Sequence, residues 1–291
     1  MQAGAVHAAA LPRLWLGALA VTLGLLLLSP QRALAAARIV RAARVVSGAQ
    51  SISSNWSGYA VTSPGVSYTS ATATWKQPAA SCDAGDAGAQ SAFWVGLGGY
   101  IESSQSLEQI GVDSDCSPSG HPEYYAWYEL VPAAAVQLGI EIEPGNTVTV
   151  SVNALDGGTT IELQIIDRSR RVRVTKLVPF ASADLSSAEW ITEAPSECSP
   201  DACRTEPLAD FGSVSFTRIA ARGNGLGGTI SDPSWFADQI DLRPGNSFRG
   251  YFPGPDRLDG APDSAAGATA GALSAIGNAF TVDWVADMAP A

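Results

Sequence analysis

The residues best suited to chemistry are carboxylates and one carboxamide, densest between Phe93 and Pro132 in FWVGLGGYIESSQSLEQIGVDSDC and PEYYAWYELVP. Period-two alternation places Trp127 and Glu129 on one face of a strand, with Tyr128 on the other. In Leu107-Glu108-Gln109-Ile110-Gly111 the same alternation puts Gln109 on a face with Leu107 and Gly111. A polar amide on an otherwise apolar face must find partners or perform a task. By itself Gln109 reads first as a buried structural amide.

Other chemistries lack their residues. His121 is the sole histidine beyond the N-terminal apolar stretch and lies in a Ser-Pro-Ser-Gly-His-Pro turn, a poor base for a Ser-His-Asp site. No G-x-S-x-G elbow occurs. The glycine clusters Gly96–Gly99 and Gly223–Gly228 do not open a helix, so they do not cradle phosphate. Cys82, Cys116, Cys198 and Cys203 are an even set without a close C-x-x-C pair, which reads as disulfides rather than a metal site. Of three possible pairings, Cys82–Cys116 and Cys198–Cys203 close the shortest loops. Asn55-Trp56-Ser57 matches a glycosylation sequon, a weak three-residue signal.

The elements that must position these groups are strands. Alternating or β-branched runs occur at Ser70–Trp75, Thr147–Val152, Thr160–Ile166, Val172–Val178, Ser213–Ala220 and Phe280–Val285. Turn clusters such as Pro144-Gly145-Asn146 and Asp156-Gly157-Gly158 separate them. With no sustained helical period, the pattern predicts an all-β protein, a sandwich of two antiparallel sheets in a concanavalin-like jelly roll. One domain is expected over residues 51–287, with a flexible Gly/Ala/Pro-rich loop at 253–278.

The N-terminus sets the compartment. Arg13 precedes an apolar run from Leu14 to Leu28, Pro30 breaks it, and Ala33-Leu34-Ala35-Ala36 suits a leader peptidase. Residues 1–36 therefore read as a signal peptide and the protein as secreted. The rival is a retained anchor, but the run is short of the about 20 residues that span a bilayer. Residues 37–50, with Arg38, Arg41 and Arg44, read as a propeptide or a linker. The formal charge is -11, and without residues 1–35 it becomes 15 - 28 = -13. So acidic a chain is ill suited to nucleic acid. It permits action in acid without proving it.

At this point the ordered motifs resemble the glutamic peptidase (eqolisin) family. They are Asn55-Trp56-Ser57-Gly58, Trp94-Val95-Gly96-Leu97-Gly98-Gly99, Leu107-Glu108-Gln109-Ile110-Gly111, Trp127-Tyr128-Glu129 and Ala188-Glu189-Trp190-Ile191-Thr192-Glu193. Pro207-Leu208-Ala209-Asp210-Phe211, Ile230-Ser231-Asp232-Pro233 and the Phe280–Trp284 strand continue the series. The resemblance implies a catalytic pair, Gln109 and Glu193, and a cleft lined by Trp94, Trp127 and Glu129. It also implies a secreted, acid-acting endopeptidase of protein or peptide substrates, without metal or cofactor. No nucleic acid and, once the leader is removed, no membrane enters as a partner, and a monomer is expected. Fungal members carry an acid where this chain has Gly98, so that carboxylate is missing or supplied from elsewhere, with Glu102 and Glu108 nearby in sequence.

The implied roles fit the residue types. Glu193 would take a proton from water and return it to the leaving amine; Gln109 would orient the water and stabilise the oxyanion. Glu189 is no natural second member, because four residues of strand span roughly 13 Å. Without the surrounding motifs, Glu193 would read as an ordinary strand-end carboxylate. Two rivals share the fold: a carbohydrate-binding sandwich using eight tryptophans, and a glycosidase using Glu129 and Glu193. Neither gives a reason for Gln109 to stand in its motif.

Overall fold

The structure, a computed structural model, describes residues 50–83, 86–198, 203–243 and 265–288. The expected leader, residues 37–49 of the basic segment and residues 253–264 of the expected loop lie outside them. Eighteen strands are described, in chain order. They begin with β1 (Gln50–Ser53), β2 (Trp56–Thr62), β3 (Tyr68–Lys76), β4 (Ala92–Gly98), β5 (Leu107–Cys116) and β6 (Pro122–Val131). The middle of the chain forms β7 (Val136–Gln137), β8 (Thr147–Leu155), β9 (Thr160–Asp167), β10 (Val172–Pro179), β11 (Ser187–Glu193) and β12 (Ser196–Cys198). Then come β13 (Cys203–Thr205), β14 (Ser213–Gly223), β15 (Leu226–Gly228), β16 (Phe236–Leu242), β17 (Gly267–Ala270) and β18 (Phe280–Val285).

All six strands expected from alternation are present. They belong to one hydrogen-bonded path, β10-β9-β8-β3-β14-β18-β17-β16-β2-β11-β4-β5-β6-β7. The path folds at β14, whose residues 213–216 pair with β18 while residues 217–223 pair with β3. The register shifts between Thr217 and Ala220, where Arg218 takes φ 52°. The two halves of the path thus form two sheets, the first running from β18 to β7 and the second from β10 to β14. One pair departs from the antiparallel expectation: β1 runs parallel to β16.

Phe93, Val95, Leu97, Ile110, Val112 and Trp190 of the first sheet share a buried cluster with Trp75, Val148, Val150, Ile161, Leu163 and Ile165 of the second. Burying each such side chain contributes about 1.5–3 kcal/mol. The other face of the first sheet carries its own cluster, including Trp56, Trp94, Leu107, Trp127, Ile191 and Ile240. Trp56 and Trp94 meet there edge to face, ring centroids 5.0 Å apart.

Three expectations change. Gln50, placed in the basic segment, already opens β1. Within the expected 253–278 loop, Gly267–Ala270 is a strand between β16 and β18. Its small residues are what the position requires: a Cβ on Gly267 would stand 2.5 Å from the Leu242 carbonyl oxygen. Asn55, the sequon asparagine, is fully buried with its side-chain nitrogen engaged, so it is no glycan acceptor. The Cys82–Cys116 disulfide is formed, while the β12–β13 register sets Cys198 opposite Cys203, whose side chains lie outside what is described.

Candidate active site

Strand pairing arranges one face of the first sheet in rows. Trp56, Glu193, Ala92, Asp113 and Tyr125 form one row across β2, β11, β4, β5 and β6. Ile191, Trp94, Gly111 and Trp127 form the next, and Glu189, Gly96, Gln109 and Glu129 the one after. All the site residues expected from sequence therefore stand on one face. Glu193 and Gln109 are not in contact through their strands: β4 runs between them, and their rows are four residues apart, roughly 13 Å along the strands. Trp94 occupies the row between.

Glu193 accepts from two neutral N–H donors. Asn55 Nδ2 donates to Oε1 at 2.9 Å, and Trp94 Nε1 donates to Oε2 at 2.7 Å. Part of the side chain stays accessible, yet protein packed about the carboxylate dominates and pushes its pKa up to about 7. The donors Trp94, Trp56 and Asn55 oppose that rise by favouring the ion. The Trp56 indole acts on the carboxylate without a hydrogen bond of full geometric quality.

Gln109 is buried, and its Nε2 donates to Glu129 Oε2 at 2.7 Å across the β5–β6 pair. This bond fixes which end of the amide faces Glu129. Its Oε1 is buried without a partner. Room above the strands comes from glycine, since a Cβ on Gly96 would meet the Trp94 ring at 2.9 Å.

Sequence reasoning missed Asp113, two steps beyond Gly111 and so on the Gln109 face. It accepts a hydrogen bond from Trp127 Nε1, and the Tyr125 hydroxyl donates to its neighbour Asp115 at 2.7 Å. Burial first, then the Asp115 charge, raises the Asp113 pKa well above the usual carboxylate range. Continuing the alternation from Gln109 would have found it. Glu189 is fully buried with neither carboxylate oxygen in a hydrogen bond of full geometric quality, and burial holds its pKa well above the usual carboxylate range against the lowering effect of Ser187.

Gly98 has a spatial explanation. It takes φ +75°, and a Cβ there would lie 2.4 Å from the Asp184 carbonyl oxygen and 2.9 Å from the Asp184 Cβ. Asp184, between β10 and β11, is thus packed where a side chain at 98 would stand, its carboxylate accepting from Ser104 Oγ and from the Ser186 N–H. Glu102 is exposed, and Glu108 lies on the Ile110 face of β5.

Residues 54–244 match the sequence profile of the Peptidase A4 family. Among solved structures, scytalido-glutamic peptidase with a transition state analog inhibitor is 23% identical, over 80% of this chain and 98% of that one, with a TM-score of 0.61. SCP-B, a member of the Eqolisin family in complex with the tripeptide Ala-Ile-His, is also 23% identical over 80% and 98%, with a TM-score of 0.58. These likenesses show the fold. A comparison with curated proteins finds no match.

Proposed function

Because this chain belongs to the Peptidase A4 family and is a glutamic-type peptidase, we propose that Glu193 and Gln109 are its catalytic pair, acting on proteins or peptides outside the cell. One observation carries the assignment of residues. Gln109 is tied down through its nitrogen, leaving a buried, unpartnered Oε1, while Glu193 is held on the same face by two N–H donors. Glu193 and Gln109 reach one scissile amide by leaning their side chains toward each other over Trp94, which occupies the row between them.

In the proposed cycle Glu193 takes a proton from water as the water attacks the carbonyl carbon. The Gln109 Oε1 accepts from the attacking water and orients it, the second Nε2 N–H, the one not given to Glu129, stabilises the developing oxyanion, and Glu193 then delivers the proton to the leaving nitrogen. Trp94, Trp127 and Glu129 line the substrate cleft, with Glu129 also orienting Gln109. A removed leader over 1–36 and a single peptidase domain over 51–287 complete the reading.

Both protonation states of Glu193 are needed in each turnover. A carboxyl held at about 7 exchanges between them best in weakly acidic solution. The working range therefore lies between the unperturbed value, about 4.3, and about 7, less acidic than the residue types alone suggest. The rate of the base step rises with pH until Glu193 is ionised.

The test is cleavage of denatured protein across that range. Glu193→Gln and Gln109→Ala should each keep native circular dichroism and lose on the order of a hundred- to a thousand-fold or more in kcat/KM. Wild-type activity in either folded variant would remove that residue from the mechanism.

A further inference from the structure

The cations of this acidic chain are gathered in one place. Of the nine Lys and Arg side chains that the structure describes, eight lie on β3, β14 or the β9–β10 hairpin, all in the second sheet, and Arg243 is the ninth. All eight are exposed. The chain as a whole is at -11, yet on the outer face of the second sheet the cations outnumber the carboxylates beside them, Glu162 on β9 and Glu141 and Glu143 next to Arg170.

Register and hydrogen bonding define the face. Thr74 and Thr149 share a hydrogen bond at 2.7 Å, and Arg168 Nε donates to the same Thr149 hydroxyl at 2.6 Å. Gln164 Nε2 donates to Thr175 Oγ1 at 3.1 Å. These contacts put Lys76, two steps from Thr74, together with Arg168 and Arg173 on the solvent side, with Arg222 opposite Ser70 at the far corner. Arg170 and Arg171 close the hairpin. Protection of an edge strand by charge would explain the cations of β10. It does not explain Lys76 or Arg222, which sit on the inner strands β3 and β14, or Arg168, whose guanidinium reaches back to Thr149 of β8.

We propose that this face docks the protein on an anionic phospholipid bilayer, its second sheet against the membrane. The cations are spread over a sheet surface covered with hydroxyl and amide groups rather than lining a groove, which suits an extended charged plane more than a single polymer strand. Leu177, which alternation places on the Arg173 face of β10, is 62% exposed and supplies an apolar side chain for the headgroup layer. Phosphodiester headgroups keep their charge in weak acid, where the protein loses much of its own negative charge. Docking therefore strengthens as pH falls toward the sequence pI of about 4.5. It needs no spanning segment, and among the described residues no helix is long and apolar enough to cross a membrane.

The experiment is co-sedimentation of the full chain with vesicles of phosphatidylcholine alone or mixed with phosphatidylglycerol. Any contribution of the apolar N-terminal run appears on both vesicles, so the reading is the difference between them. Each cation near such a surface is worth roughly fivefold in partitioning. The variant Lys76→Gln/Arg168→Gln/Arg171→Gln/Arg173→Gln should therefore lose a few hundred-fold of that difference, while cleaving a soluble peptide as the wild type does. Added salt should erase the difference and lower pH should enlarge it. Equal binding to both vesicles, undiminished binding by the variant, or equally tight binding to soluble polyphosphate would each overturn the proposal.

Discussion

Along β9 half-buried and buried residues alternate at every step, whereas along β5 all ten residues are buried. Both strands pair on two sides, yet β9 belongs to a sheet with one solvent face and β5 to a sheet with protein against both. The first condition lets polar Thr, Ser and Gln satisfy themselves in water. The second forces Glu108, Gln109, Asp113 and Asp115 to be buried, where a carboxyl stays neutral or finds donors. What separates the sheets is thus the cost of holding charge: negligible on the second sheet's outer face, large in the first sheet, where the proposed chemistry resides.

The largest test of this contrast is stability against pH. Burial raises Glu108 to about 8, so its folded pKa lies above its unfolded value of about 4.3. Below that lower value both states are neutral and the stabilisation is complete. As pH rises the unfolded chain releases its proton first, so stability falls on the order of 3–5 kcal/mol by the time Glu108 ionises near 8. Urea unfolding from pH 4 to 8 should show this slope, flattened in Glu108→Gln and unchanged in Thr149→Val on the second sheet. Equal slopes in all three proteins would erase the distinction.

A smaller effect concerns space. A Cβ on Gly111 would lie 2.5 Å from the Phe93 carbonyl oxygen and 2.7 Å from Trp94 Cβ, while one on Gly227 would meet nothing nearer than 3.8 Å. Gly111→Ala should cost about 1–3 kcal/mol in thermal unfolding, and Gly227→Ala close to nothing. Smallest of all is the exposed Arg170–Glu141 pair, 2.7 Å apart. Arg170→Ala should leave the thermal unfolding midpoint essentially unchanged; a clear drop would mean that the second sheet's surface charges are coupled to its packing.

The same contrast governs what the sequence reveals. The six runs legible by alternation include β3, β8, β9, β10 and most of β14, the body of the second sheet. In the first sheet, continuous burial hides the period, and β4, β5 and β11 are visible only through their ordered motifs. The face of Gln109, Trp127 and Glu129 followed from parity, which is local. Asn55 beneath Glu193 did not, because the contact joins residues 138 apart. Asp184 against Gly98 was hidden for the same reason. The β17 strand was hidden by composition, its Gly and Ala serving close strand approach instead of a loose loop.

Strand β14 serves both sheets, and the register step between Thr217 and Ala220 separates its two allegiances. An inserted or deleted residue inside either segment would move every side chain beyond it to the wrong face. At the step itself, the irregular backbone can take up a change in length. Each sheet can therefore alter its half of the strand on its own evolutionary clock. Homologous chains should differ in length at this step more readily than on either side of it, a seam along which the cation-bearing sheet can be exchanged while the peptidase face is inherited intact.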